Sequence, residues 1–319
     1  MKKFLVTVFC IVMTLSMSTT AFAADLSADL SEIAASTIQV EKVTDDAGNI
    51  VTTFLKLDDF QDAVRLAKPE ISDYEIALYI LQYTDQDYSS LSEEDVLSFL
   101  AYDNITTSSC YVGIDCEGNA HVSNDDVMSV ADWSSSDGYM KISTNYSYIK
   151  TVKSEKYYSV WSTASWIKYP AVCMQDAFVL GTTGVFDDSY DENGSVAQNF
   201  YCISCRNTTV RKRSVSSTMR VDNDLTLEYA NFVPMLRFEP ISPRCDYCGG
   251  GGSRDSKFNA YIRYGIIANK SVNIQAGYAH KTLGIGNINV GIGLDGTPSF
   301  SASGSKISKY VAKPVTIKY

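Results

Sequence analysis

The chain reads as a mostly β protein, an antiparallel β-sandwich or barrel-like domain with a small α-helical segment before it. Three observations predict this class. From about Ser108 onward, apolar residues alternate with polar ones at a period of two. Gly, Asn and Asp-Gly cut that pattern into short segments, which is the turn chemistry of antiparallel sandwiches. The composition includes 21 Tyr, 13 Phe and 3 Trp among many Ser, Thr and Asn, and aromatic and β-branched side chains pack well on half-buried strands.

The elements follow in chain order. Met1-Lys2-Lys3 is a short basic start, Phe4 to Leu15 is apolar apart from Thr7 and Thr14, and Ala21-Phe22-Ala23 is a small-x-small exit. Together they predict a secretory signal peptide over residues 1–23. The apolar stretch is shorter than the roughly 20 residues that span a bilayer. Cys10 sits inside it, far from the exit, so it does not read as a lipid-anchor cysteine. Residues 24–57 are expected to be a flexible start over 25–37 and then a β-hairpin. In that hairpin, Ile38 to Val43 and Ile50 to Leu57 flank an Asp45-Asp46-Ala47-Gly48-Asn49 turn.

Residues 58–107 are expected to hold short helices. Asp58 or Asp59 is placed to cap the first, which Pro69 stops near Lys68. Ser72-Asp73-Tyr74-Glu75 is a capping-box pattern, followed by a stripe of Ile76, Tyr79, Ile80 and Tyr83. Ser92-Glu93-Glu94-Asp95 opens another helix, with Val96, Phe99 and Leu100 as its apolar face. Residues 108–319 make the antiparallel β domain, interrupted by a Cys/Gly-rich loop at 240–257. Strand-like stretches include 139–143, 157–162, 164–169, 176–185, 208–221 and 225–238. The most regular ones are 258–264, 272–278, 288–294 and 299–303.

The chain has 27 basic and 37 acidic side chains, a net charge of −10. Loss of residues 1–23 removes Lys2 and Lys3 and no acid, leaving 25 against 37, or −12. That balance argues against a nucleic-acid partner, which needs a basic footprint. It suits a soluble extracellular chain. Arg206 to Arg213 is the one basic patch, expected as a solvated loop or edge strand. No segment after residue 23 is long and apolar enough to be a stable transmembrane span.

The cysteines carry the sharpest candidate site. Cys202-x-x-Cys205 and Cys245-x-x-Cys248 are two C-x-x-C pairs. Two such pairs complete a tetrahedral structural zinc site, whereas export favours disulfides among the same four residues. Under either of these readings a cross-link staples the loop to the domain; the third alternative is that the four cysteines stay reduced. Cys110 and Cys116 flank five residues, a spacing that suits a local disulfide. Cys173 is then the odd cysteine, expected in the core.

Asp187 to Gly194 is oxygen-rich, but its spacing does not match a calcium-binding loop and reads as an acidic turn. Catalysis has thin support, because His121 and His280 are the only histidines and lie far apart in sequence. A hydrolase requires one of them, or two carboxylates, to converge in one pocket. Trp161 and Trp166, with Tyr157, Tyr158 and Tyr169, suggest an aromatic platform, although five residues apart on one strand the tryptophans face opposite sides. The last strands alternate apolar residues with Ser, Gly, Asn and Ala, a pattern shared by soluble sandwiches and pore-forming hairpins.

Ile71-Ser72-Asp73-Tyr74-Glu75 with Leu91-Ser92-Glu93-Glu94-Asp95, then Trp161 to Pro170 followed by Asp176, resemble uncharacterised secreted proteins of Gram-positive bacteria. The resemblance runs from about residue 58 to 185. It implies an extracellular location and carries no activity or site residues. The expected function is a secreted, non-catalytic protein that binds an extracellular protein or glycan at the cell surface. The alternatives are a secreted hydrolase of wall polymer or peptide, and a membrane-active β toxin.

Overall fold

The computed structural model describes residues 29–114, 120–124, 138–168, 174–202, 205–239, 257–284 and 286–319. The predicted signal peptide lies outside them. The chain is mostly β, and its two main sheets stack as a sandwich. Residues 29–37 form a helix, α1, where a flexible start was expected. Leu30, Ile33 and Ala34, spaced i, i+3 and i+4, turn one face inward, and Lys68 pairs with Asp29 at 2.5 Å.

The expected hairpin follows as β1 (Gln39–Thr44) and β2 (Ile50–Leu55). Asp45 Oδ1 holds its turn by accepting from the backbone N–H groups of Ala47 and Asn49. Helix α2 (Leu57–Ala67) starts after Lys56, which has left-handed backbone geometry and gives no side-chain cap. Asp58 and Asp59 therefore sit in the first turn, where they favour the helix dipole rather than capping it. Helices α3 (Asp73–Tyr83) and α4 (Glu93–Ser98) both carry complete capping boxes, Ser72 with Glu75 and Ser92 with Asp95. A tight 3-10 turn over Phe99–Ala101 leads into the domain.

The larger sheet runs β1-β2-β3-β5-β6-β14-β9-β10, with β4 beside β3 and β8 beside β14. Its later members are β3 (Asn104–Ile114), β4 (Ala120–Ser123), β5 (Tyr139–Val152), β6 (Glu155–Lys168), β8 (Val185–Asp187), β9 (Asn193–Tyr201), β10 (Thr208–Ser216) and β14 (Lys257–Ala268). The second sheet runs β11-β12-β13-β7-β15-β18, with β19 beside β15. It comprises β7 (Gln175–Thr182), β11 (Val221–Asp222), β12 (Leu225–Ala230), β13 (Val233–Phe238), β15 (Val272–Leu283), β18 (Lys306–Val311) and β19 (Val315–Ile317). A separate hairpin, β16 (Asn289–Ile292) with β17 (Pro298–Ser301), lies over the second sheet. Its Phe300 and Pro298 press on Gly277, where a side chain would collide.

Alternation along two central strands builds two cores. On β6, Val160, Ala164 and Trp166 enter the core between the sheets, while Trp161 enters a second core under the helices. On β14, Ala260, Ile262, Tyr264 and Ile266 face the sandwich and Tyr261 faces the helices. The period of two thus feeds both faces of one sheet. The basic run ends on β10, the edge strand, as expected. Lys212 donates to the Leu91 carbonyl and Arg213 to that of Glu239, so part of that run braces the fold.

Candidate functional site

Cys202 and Cys205 sit in the turn between β9 and β10. Cys202 is buried; its N–H donates to the Asn207 carbonyl and its own carbonyl accepts from Arg206. Lys257, expected as the last residue of the Cys/Gly-rich loop, is the first of β14 and pairs with Asn199, three residues before Cys202. β14 therefore begins beside the Cys202 turn. Cys245, Cys248, Cys116 and Cys173 lie outside the described residues, as does Tyr169. Cys110 is buried in the sandwich core, and burial pushes its thiol up to about 11.

The tryptophans do face opposite sides of β6, and neither forms a platform. Trp161 is 0% exposed. It stacks on Tyr102 at 5.3 Å and meets Phe99 edge-on, and its Nε1 donates to Gln86 Oε1 at 3.0 Å. Trp166 packs in the other core, with Nε1 donating to the Tyr278 hydroxyl at 3.2 Å. Burial of both rings places them in the two cores and leaves no platform built on the tryptophans.

The histidines do not converge either. His121 is exposed on β4. His280 is 0% exposed on β15, its Nδ1 2.5 Å from Asp176 Oδ1. The Tyr278 hydroxyl donates to the other oxygen of Asp176, which closes a buried Trp166–Tyr278–Asp176–His280 chain. That chain is enclosed by the sandwich and opens on neither surface concavity described below. Carboxylates, by contrast, do gather. Glu94, Asp95 and Asp191 line a polar pocket of about 380 Å³ where α4 meets β9, β10 and β14. Arg263 lies in it, buried, with its guanidinium 3.9 Å from Asp95 and bonded to the Ser98 hydroxyl.

The acidic stretch 187–194 behaves as the turn it was read as. Asp187 accepts from the N–H and hydroxyl of Ser189. Glu192 turns away to the Tyr229 hydroxyl and Arg220. A second acidic pair was not anticipated. Asp103 is pushed up to about 6, chiefly by a shared hydrogen bond with Asp58 and then by burial, while Asp58 is held below its ordinary value. A proton held between two such carboxyls titrates as a property of the pair. An acid bound more tightly in the fold contributes stability fully below its unfolded value of 3.8 and loses it as pH rises through about 6. Asp103→Asn should therefore narrow the gap in Tm between pH 5 and pH 7.5. An unchanged gap, or no carboxyl titrating near pH 6 by NMR, refutes the shared proton.

An apolar groove of about 860 Å³ lies at one end of the sandwich. It is lined by Val185, Phe186, Phe232, Val233, Ile267, Ile292 and Leu294, with Thr182, Asp188 and Asn231. Three turns frame it. The β12–β13 turn is Asn231-Phe232, both at positive φ, with Phe232 85% exposed. The β16–β17 tip holds Leu294, which is fully exposed. Val185 follows the β7–β8 turn and is also exposed. Asn231 Nδ2 donates to the Ile292 carbonyl, tying two of these turns together. The β16–β17 tip also reaches β7, because Gly181 leaves room for the Gly296 carbonyl.

Phe232 holds a left-handed conformation that a two-residue hairpin turn normally assigns to Gly, at a cost of about 1–2 kcal/mol. Phe232→Gly should therefore leave the fold intact and about 0.5 kcal/mol more stable, after the entropy of the freer unfolded chain is offset. Thermal melting reads this, and a loss above about 1 kcal/mol would show that the ring is packed rather than displayed. The signal for this end in the sequence was slight: one Asn inside the apolar run 225–238, and Leu294 before Asp295-Gly296.

No family model matches the chain and no curated protein matches it. Among solved structures, one named BspA_C_WT is similar at a TM-score of 0.30 with 14% identity, over 68% of this chain. The chain spans 58% of that structure's length. A structure described as a pore forming protein is similar at a TM-score of 0.23 with 8% identity, over 65% of this chain and 91% of that one. The NetB toxin of Clostridium perfringens in its membrane-inserted form gives the same TM-score and identity, over 66% of this chain and 97% of that one.

Proposed function

We propose that the protein is a secreted, non-catalytic binding protein of the cell surface or extracellular space, and that it binds through the apolar end of the sandwich. The observation that carries this reading is the display of Phe232, Leu294 and Val185 around one open groove. Apolar side chains held in water at a backbone cost point to an interaction surface. Fluorescently labelled wild-type protein should be retained on intact bacterial cells, and the Phe232→Gly/Leu294→Ser variant should wash off. Equal retention of the two, or no retention of either, overturns the reading.

The two C-x-x-C pairs enter this reading as a cross-link, zinc or disulfide, that staples the loop 240–257 beside the Cys202 turn. Cys110 and Cys116 enter it as a local disulfide. Native and denatured mass spectrometry with thiol labelling should find bound zinc or protected thiols among Cys202, Cys205, Cys245 and Cys248. Four labelled thiols and no metal reject the staple. The same spectra read the mature N-terminus, expected after Ala23.

A second reading, a secreted hydrolase of wall polymer or peptide, is favoured by the meeting of Glu94, Asp95 and Asp191 around Arg263 in one pocket. It requires release of soluble fragments from cell walls that Glu94→Gln or Asp191→Asn abolishes. The pore-forming reading lacks comparable support. Of the last strands that suggested it, β14 and β15 are built into the two sheets with nearly every residue of β15 buried, and β16 and β17 pair as a short separate hairpin.

A further inference from the structure

We propose that the apolar end is a peripheral docking surface for an anionic lipid bilayer, an inference that rests on the binding reading above and names its partner. Three features of this end support a lipid surface over a protein. The first is the form of the apolar display. Phe232, Leu294 and Val185 each stand on a different turn, as separate points around a groove rather than as one flat patch. Isolated apolar tips enter the headgroup and acyl boundary without a complementary surface to meet them.

The second feature is charge. The turns at this end are joined by hydrogen bonds. The N–H of Tyr319 donates to Ser271 Oγ in the β14–β15 turn, and its hydroxyl donates to the Ser154 carbonyl in the β5–β6 turn. Asn273 and Thr183 exchange bonds of 2.9 and 3.0 Å, linking the start of β15 to the β7–β8 turn. Along this continuous rim stand Lys150, Lys153, Lys156, Lys270 and Lys318, against the acidic side chains Glu155, Asp188 and Asp295. Lys153, Lys270 and Lys318 are exposed. The chain as a whole is −10, so these linked turns reverse its charge locally, as far as the acidic Asp58, Asp59 and Asp103 beyond the β5–β6 turn, where Asn104 bonds to Tyr148. Lysines beside apolar tips match an anionic headgroup layer.

The third feature is aromatic. Lys156 lies over the Tyr319 ring at 4.7 Å and Lys150 over the Tyr157 ring at 5.1 Å. Tyrosines with an apolar body and a polar tip settle at the headgroup level. Among the described residues no helix is long and apolar enough to cross a membrane. The attachment proposed is therefore peripheral and made by the turns.

The test is co-sedimentation of the full chain with vesicles of phosphatidylcholine alone and with one-third phosphatidylglycerol. Wild-type protein should pellet with the anionic vesicles and stay in solution with the neutral ones. Phe232→Gly and Leu294→Ser should each weaken binding by about tenfold. Lys153→Gln/Lys270→Gln should weaken it by about twentyfold at low salt, with the difference shrinking at high salt. All four positions are exposed, and a circular dichroism spectrum confirms that each variant is folded. Wild-type protein that ignores anionic vesicles, or tip variants that pellet as well as wild type, overturns the proposal. If vesicles fail while cells still retain the protein through Phe232, the partner is a protein or glycan, and only the lipid assignment falls.

Discussion

Trp161→Ala should lower stability by about 4 kcal/mol, among the largest effects expected of a core substitution in this chain. The indole is fully enclosed, stacked flat on Tyr102 and edge-on to Phe99. It joins helices to sheet, because Tyr102 follows the 3-10 turn while Trp161 belongs to β6. Deleting it leaves a cavity at that junction, and the capped helices α3 and α4 cannot close it without moving. The melting temperature should fall by roughly 10 °C, read by urea and thermal unfolding. Hydrogen exchange should show 57–101 opening before the sandwich. Trp161→Phe fills most of the space but leaves Gln86 Oε1 without its donor, an intermediate loss of about 1–3 kcal/mol. If both variants melt within 1 kcal/mol of wild type, the seam does not hold the helices to the sheet.

The second large effect is expected at Asp176. Its two oxygens are partnered by the Tyr278 hydroxyl and His280 Nδ1, all inside the sandwich. Asp176→Ala removes the carboxylate acceptor from two buried polar groups at once, a cost of about 3–5 kcal/mol. The loss should be strongly non-additive. Asp176→Ala combined with Tyr278→Phe and His280→Leu removes the two groups that bonded to it, at the loss of the Trp166 Nε1 bond to the Tyr278 hydroxyl, and should recover part of the stability. A triple variant as unstable as the sum of its single changes would falsify the view of these residues as one structural unit. The same cycle bears on function. A buried pair that can be exchanged for apolar residues with cell binding intact is structural.

Much of the secondary structure was legible because it is local. The Ser72 and Ser92 capping boxes need only four residues each, so their form in the fold matches their form in the sequence. The β1–β2 turn is set by Asp45 bonding to its own backbone neighbours. The opposite facing of Trp161 and Trp166 follows from a period of two along one strand. Where local rules failed, a distant partner decided. Residues 29–37 are polar enough to read as a loose start, yet Leu30 and Ala34 complete a core that Trp161 and Tyr261 bring from more than a hundred residues away. Lys56 begins α2 without a cap because Leu57 N–H is already held by the Asp103 carbonyl. The run 225–238 splits at Asn231 because β13 must pair back on β7.

The candidate sites divide on the same line. Sequence spacing identified the cysteine pairs and the acidic turn, which are features of neighbouring residues. It had no means of finding the groove. Phe232, Val185 and Leu294 come from three turns that approach only when two sheets stack and a third hairpin folds over them. The sequence by itself determined the β class, the two capping boxes of α3 and α4, and the opposite facing of Trp161 and Trp166, because each rests on periodicity or on contacts within a few residues. Only the tertiary structure decided that the N-terminal hairpin joins the large sheet, that the buried tryptophans are cement rather than platform, and that one end of the sandwich displays an apolar groove. Those properties depend on which surfaces meet, and burial and proximity across long stretches of chain are consequences of packing that no local pattern encodes.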